Sequence, residues 1–218
     1  MGLETLKGLS NSNKKEWDGE YFYSSEQGLR FNSSSPSGKI PQPEPLNHSY
    51  KGLFKYVDFS GKVLDLSDWD VSKVTDVESM FEGTTAEQII GLEAWDTSNI
   101  ENMKDMFKSS RVKMLSSISS WNVSNVVNMQ GIFHAMITEC KLDLSEWDTS
   151  NVENMSMMFC STRIKSFGDL TTWDIKSVKD FTACFHQCMF STKKIIKAWS
   201  EKDNALFNEY VRDELSSM

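Results

Sequence analysis

Trp69, Trp95, Trp121, Trp147 and Trp173 stand 26 residues apart, and a further 26 lead to Trp199, so six of the seven tryptophans share one phase. A spacing held this long means that the chain is assembled from copies of one unit. No such unit buries its own apolar face; neighbours must stack to do so. The copies read alike. One runs Leu64-Asp65-Leu66-Ser67-Asp68-Trp69-Asp70-Val71-Ser72 and ends in Met80-Phe81. Another runs Leu142-Asp143-Leu144-Ser145-Glu146-Trp147-Asp148-Thr149-Ser150 and ends in Met158-Phe159. Phe81, Phe107, Phe133, Phe159 and Phe185 keep the same interval.

Two periodicities meet in the unit. Leu64 and Leu66 flank Asp65 in the alternation of a short strand. Val74, Val77, Met80 and Phe81 follow at three- and four-residue spacing, which predicts a helix of about ten residues. Ser72, Ser98, Ser124 and Ser150 would start it, with capping boxes in Ser98–Glu101 and Ser150–Glu153. The Asp or Asn after each tryptophan (Asp70, Asp96, Asn122, Asp148, Asp174) closes a turn onto the backbone. The predicted fold is thus an α/β repeat solenoid of leucine-rich-repeat type, with one short parallel strand and one short helix per 26-residue unit. Residues 51–190 hold five full units and a partial opening one around Gly52-Leu53-Phe54-Lys55. Residues 191–218, with Ile195, Ile196, Trp199, Leu206, Tyr210, Val211 and Leu215, predict a helical cap. Residues 1–50 form an arm in which Pro36, Pro41, Pro43 and Pro45 mark an extended Pro/Ser-rich segment.

Composition narrows the function classes. Residues 51–190 carry 13 Lys and Arg against 20 Asp and Glu, a balance of −7 within a total of −8. Phosphate-backbone binding needs clustered cations, so nucleic acid is not the expected ligand; a basic protein fits better. No apolar run is long enough to span a bilayer, and neither a signal peptide nor a lipid-anchor motif is visible at the start. The expected setting is cytoplasmic or particle-associated. Cys140, Cys160, Cys184 and Cys188 lack a disulfide framework's spacing and are expected to be free thiols.

The string Leu-Asp-Leu-Ser-x-Trp-Asp-x-Ser-x-Val-x-x-Met-x-x-Met-Phe resembles the BspA-like family of bacterial surface-protein repeats, in the subtype known as DUF285. The resemblance covers residues 52–190; in the fifth copy Lys176 replaces the serine and Phe181 a methionine. It implies a leucine-rich-repeat solenoid with adhesive or interaction roles and no catalytic residues.

Positions that vary between copies are where a ligand would be read. On the outward side of the predicted strands these are Asp65, Ser67, Gly91, Glu93, Ser117, Ser119, Asp143, Ser145, Asp169 and Thr171. The tryptophan column, present in every copy, is read as packing. In the arm, Trp17, Tyr21, Phe22, Tyr23 and Phe31 either cover the first unit or dock on a neighbouring subunit. His134, Cys160 and His186 share a column and Cys184 and Cys188 flank the last of these, but Glu82 and Lys108 hold the same column. We therefore expect no metal and no cofactor. No Gly-rich elbow or phosphate loop surrounds a nucleophile, so no enzyme is expected. Two function classes stand: a module that binds a protein ligand through the strand face, and a structural component of a larger assembly, such as a viral or cellular particle, docked through the arm.

Overall fold

The structure, a computed structural model, describes residues 4–5, 21–24, 28–31, 38–40 and 42–216. Strands β1 (Glu4–Thr5), β2 (Tyr21–Ser24) and β3 (Gly28–Phe31) form an antiparallel sheet in which Tyr21 pairs with Phe31 and Glu4 with Tyr23. Strands β4 (Gly38–Lys39), β5 (Asp58–Asp65), β6 (Thr85–Ile90) and β7 (Arg111–Leu115) form a parallel sheet in that order. Leu64, Ile89 and Leu115 lie side by side across it, all buried.

Beyond the strands, residues one unit apart stay bonded. Parallel bridges run Asp76–Asn102–Asn128–Asn154–Asp180, and Ser49 joins the series at Asp76. We call each such layer a rung. On this side the backbone alternates between two kinds of bond. The amides of Val77, Ser79, Phe81 and Gly83 donate to the next rung, at Asn102, Lys104, Met106 and Lys108, over 2.8–3.0 Å. The intervening Met80, Glu82 and Thr84 each donate 3.1 Å back to the residue three before, closing a turn. Glu78 donates to its neighbour Asp76 Oδ1 at 2.9 Å. Every amide from Val77 to Thr84 is thereby satisfied.

This overturns the predicted α/β leucine-rich-repeat solenoid. No α-helix occupies the unit: among the described residues the α-helices are α1 (Lys193–Ser200) and α2 (Ala205–Ser216), both after the last rung. The segment expected to be helical holds left-handed residues at Ser79, Asp105, Gly131, Met157 and Ala183, and again four residues on at Gly83, Ser109, Ala135, Ser161 and Gln187. A helix does not pass through such positions. Turns closing every three or four residues place Val74, Val77, Met80 and Phe81 inward much as a helix would, so the periodicity has two solutions. A ten-residue helix is marginal by itself, whereas the turn series lets each rung bond its neighbour. The capping boxes at Ser98 and Ser150 have no helix to cap. Strands are also not universal: after β7 the equivalent position forms only a bridge, between Arg111 and Ile137.

Two aromatic columns fill the interior. The six in-phase tryptophans stack with ring centroids 6.0–6.4 Å apart. Phe54, Phe81, Phe107, Phe133, Phe159 and Phe185 stack beside them at 5.3–6.1 Å. Each such pair contributes about 0.5–1.5 kcal/mol beyond the area it buries. Each of these six indole N–H groups donates to a carbonyl 29 residues earlier, as Trp121 Nε1 does to Leu92 at 2.8 Å and Trp199 Nε1 to Leu170 at 2.8 Å. At the far end Asn204 Nδ2 donates to the carbonyls of Ile175 (2.6 Å) and Val178 (3.0 Å), while its Oδ1 accepts from Phe207 N at 3.1 Å. One side chain thus closes the last rung and starts α2.

Candidate interaction surface

The strip expected on the strand face lies elsewhere. Of its residues only Asp65 belongs to a strand; Ser67, Ser117, Ser119, Asp143, Ser145, Asp169 and Thr171 sit in the turns and loops that follow, and Glu93 in a short 3-10 turn, Leu92–Ala94. All are at least partly solvent-exposed. Their polar atoms are largely occupied with one another. Asp65 Oδ1 accepts from Ser67 N at 3.0 Å and Oγ at 2.7 Å, and Asp143–Ser145 and Asp169–Thr171 repeat the motif with 3.1 and 2.7 Å. Ser117 and Ser119 share a hydroxyl bond of 2.8 Å. The Ser145 hydroxyl and amide hold the Asp143 carboxyl below its usual range. Thr171 and then Lys194, 2.9 Å away, bring Asp169 down to about 2. Gly91 is a close approach: a Cβ there would lie 2.3 Å from Ser67 N. These residues shape turns, and the expected binding strip is a row of satisfied corners.

The outward face of the real strands is more open. Residues of four successive rungs line a groove of about 520 Å³. Its floor is apolar, with Ala86, Val112 and Ile137; its rim carries Ser60, Thr85, Glu87, Arg111, Lys113, Thr138 and Glu139. The groove opens at Gly61, which has φ +70° and nothing within 4 Å of a Cβ. There β5 shifts register against β6, between Phe59 and Val63. Asp58 bonds Ser60 N at 2.9 Å and the Thr85 hydroxyl, and the Ser60 and Thr85 bonds lower its carboxyl to about 2. Lys113 pairs with Glu87 at 2.8 Å, which raises its ammonium above the ordinary range. Arg111 and Glu139 are exposed and make no ion pair among the described residues. Met114, 55% exposed, lies beside them on β7. These groove residues escape a search for shared motifs because the three strand stretches differ between units; the departure from the consensus is itself the signal.

The remaining candidates are placed as follows. Tyr21, Phe22 and Tyr23 lie on β2 and Phe31 on β3, while Trp17 falls outside the described residues. Among the described residues no group of three or more His, Cys, Asp or Glu side chains could hold a metal ion. His134 is held below the usual imidazole value by burial first and then by Lys108. All four cysteines are free thiols. No described helix is long and apolar enough to cross a membrane.

The profile of the family described as "Mycoplasma protein of unknown function, DUF285" matches residues 49–111 and, overlapping these, 84–199. No curated protein and no solved structure matches the chain. The two matched stretches span well over half of the sequence, and the chain belongs to the DUF285 family.

Proposed function

We propose that this protein is a non-enzymatic interaction module that binds a protein ligand through the groove on the outward face of β5–β7. One observation carries the reading. The groove joins an apolar floor to exposed charges of both signs, Arg111 and Glu139, which make no ion pair among the described residues, with Met114 exposed alongside. Interface cores favour apolar surface with Met and Arg, and charges at the edge set orientation and specificity. The acidic balance of residues 51–190 favours a partner of basic overall charge. The BspA-like likeness, with its adhesive roles, points the same way.

Selection of displayed peptides against the immobilised protein tests the reading. Peptides recovered should lose binding in the double variant Arg111→Glu/Lys113→Glu. They should keep it in Asp143→Asn/Ser145→Ala, which alters the turn strip instead. Binders indifferent to the first pair would sink the groove as the site.

A second reading is favoured by the arm. Residues 4–31 contain a three-stranded antiparallel sheet whose β2 is Tyr-Phe-Tyr-Ser, and this sheet is the feature through which the chain would join a larger assembly as a structural subunit. Light scattering on the full chain and on a chain starting at Gly38 separates the two. Gly38 is the right start because the Ile40 carbonyl accepts from Trp69 Nε1 at 2.7 Å. Association of the full chain alone favours the assembly reading.

A further inference from the structure

The groove on the outward face of β5–β7 has a direction and a width, and both narrow its occupant. Its long axis runs across the strands, from Gly61 on β5 to Glu139 on the rung after β7. Two columns form its walls. Thr85, Arg111 and Ile137 stand side by side on one, joined by parallel pairing. Glu87, Lys113 and Glu139 stand on the other: Lys113 pairs with Glu87 at 2.8 Å, and Glu139 N donates to the Lys113 carbonyl at 3.3 Å. Ala86 and Val112 lie buried between them. The walls are two residues apart along a strand, about 7 Å. A helix with its side chains is about 10–12 Å across, so an extended backbone fits the groove and a helix does not. Nor is there a sheet edge here for a strand to join. β5 is paired with β4 and β6, and β7 with β6 and, through Val112 N to Ile137 O at 3.2 Å, with the next rung. The occupant is therefore held by side chains.

Charge selects those side chains. Arg111 and Lys113 put a cation on each wall beside Val112. Glu87 balances Lys113, whereas Arg111 is exposed and makes no ion pair among the described residues. One rung on, Glu139 is exposed and acts on the Lys113 charge without pairing with it. The groove thus presents surplus positive charge at β7 and negative charge at the next rung. Arg111 and Glu139 stand one rung and one wall apart, about 8 Å between backbones. Residues i and i+2 of an extended chain are about 7 Å apart and point to the same side. We propose, resting on the binding role given to the groove above, that its occupant is an extended segment of the partner protein lying across β5–β7. The segment sets an acidic side chain against Arg111 and a basic one, two residues away, against Glu139. The residue between them points to solvent. Overall basic charge brings the partner to this acidic chain, and the paired side chains fix its register in the groove.

Short random peptides, displayed and selected on the full-length protein, supply the test. Binders that Arg111→Glu/Lys113→Glu abolishes should share an Asp or Glu two positions from a Lys or Arg. The strongest of them, synthesised and followed by fluorescence anisotropy, should bind Arg111→Glu/Glu139→Arg about tenfold more weakly or worse, because like charges then meet. The same peptide with its acid and base exchanged should bind that variant well and the parent poorly. Damage to the fold cannot produce such a reversal. Groove-dependent binders that lack the pair, carry it three or four residues apart as on a helix, or show no recovery on exchange overturn this inference and leave the groove as the binding site. If no binder depends on Arg111 and Lys113, the groove itself falls, and this inference with it.

Discussion

From Asp58 to Leu115 neighbouring rungs pair as strands β5, β6 and β7; from Ser116 to Phe190 the equivalent stretches run as turns and bends. The interior does not register the change. Tryptophan centroids are 6.0 Å apart between Trp95 and Trp121, and 6.2 Å apart between Trp147 and Trp173. The turn-side bonds are likewise kept, with Val77 N to Asn102 O at 3.0 Å and Met155 N to Asp180 O at 2.9 Å. The aromatic columns and the turn ladder therefore hold the stack, and the strands are a local addition that one half carries and the other lacks. Their end has a visible cause: the thiol of Cys140 accepts from Leu115 N at 3.2 Å, where a backbone carbonyl would have continued the sheet.

The comparison breaks most directly through the tryptophans. Trp95→Ala, beside the sheet, and Trp147→Ala, in the strand-free half, should each cost about 3–5 kcal/mol in urea unfolding. Their costs should be alike, because both lose a stack and an indole bond, to Leu66 and Ile118 respectively. A much cheaper Trp95→Ala would mean that the sheet carries weight assigned here to the columns.

Acid should weaken both halves together. Asp58 and Asp169 titrate at about 2 when folded against an ordinary 3.8, and Asp70, Asp96, Asp143 and Asp148 are lowered by their serine partners. A lowered folded pKa stabilises above the unfolded value and stops doing so as pH falls through the folded one. The urea midpoint should thus hold from neutrality to about pH 4 and then fall steadily towards about pH 2. A flat midpoint across that window would show that the aspartate turns do not contribute, and loss of sheet signal alone would show that Asp58 dominates.

The halves also differ in how far the sequence exposes them. The tryptophan and phenylalanine columns, their burial, and the turn closed by Asp70 and its equivalents follow from the 26-residue spacing, because those positions repeat and must serve every rung alike. Leu66 misleads: Trp69 N bonds Leu66 O at 3.1 Å, so Leu66 begins a turn, and the strand that holds Leu64 ends at Asp65. The stretches that do form strands, Asp58–Asp65, Thr85–Ile90 and Arg111–Leu115, differ from one another, and a search for likeness passes over them. The groove residues Arg111, Lys113 and Glu139 were missed for that reason. The left-handed positions were hidden too. Met157 and Gln187 occupy them as readily as Gly131, since bonds to the next rung decide the backbone there against local preference.

Cys140→Ala sharpens the account of where the sheet stops. It removes the acceptor of the Leu115 amide and should cost about 1 kcal/mol. Hydrogen exchange at Leu115 distinguishes the outcomes: faster exchange follows if the amide is orphaned, and unchanged exchange if a backbone carbonyl takes it over. The latter would show that the sheet is free to extend and that the thiol does not set its end.

The smallest effect should have the opposite sign. Met157 stands at φ +54° with its side chain 38% exposed, in the column where Gly131 has φ +59°. A left-handed conformation costs a residue with a Cβ about 1–2 kcal/mol, part of which glycine returns through its extra freedom when unfolded. Met157→Gly should therefore raise stability by about 0.5–1 kcal/mol. The gain is expected because inter-rung bonds on both sides, Met157 N to Thr182 O at 2.8 Å and Gly131 N to Ser156 O at 2.8 Å, already fix the backbone and leave the side chain little to add. A loss of stability on Met157→Gly would mean that the methionine packs more than its exposure suggests, and that in the strand-free half the turn side depends on side chains as well as on its backbone ladder.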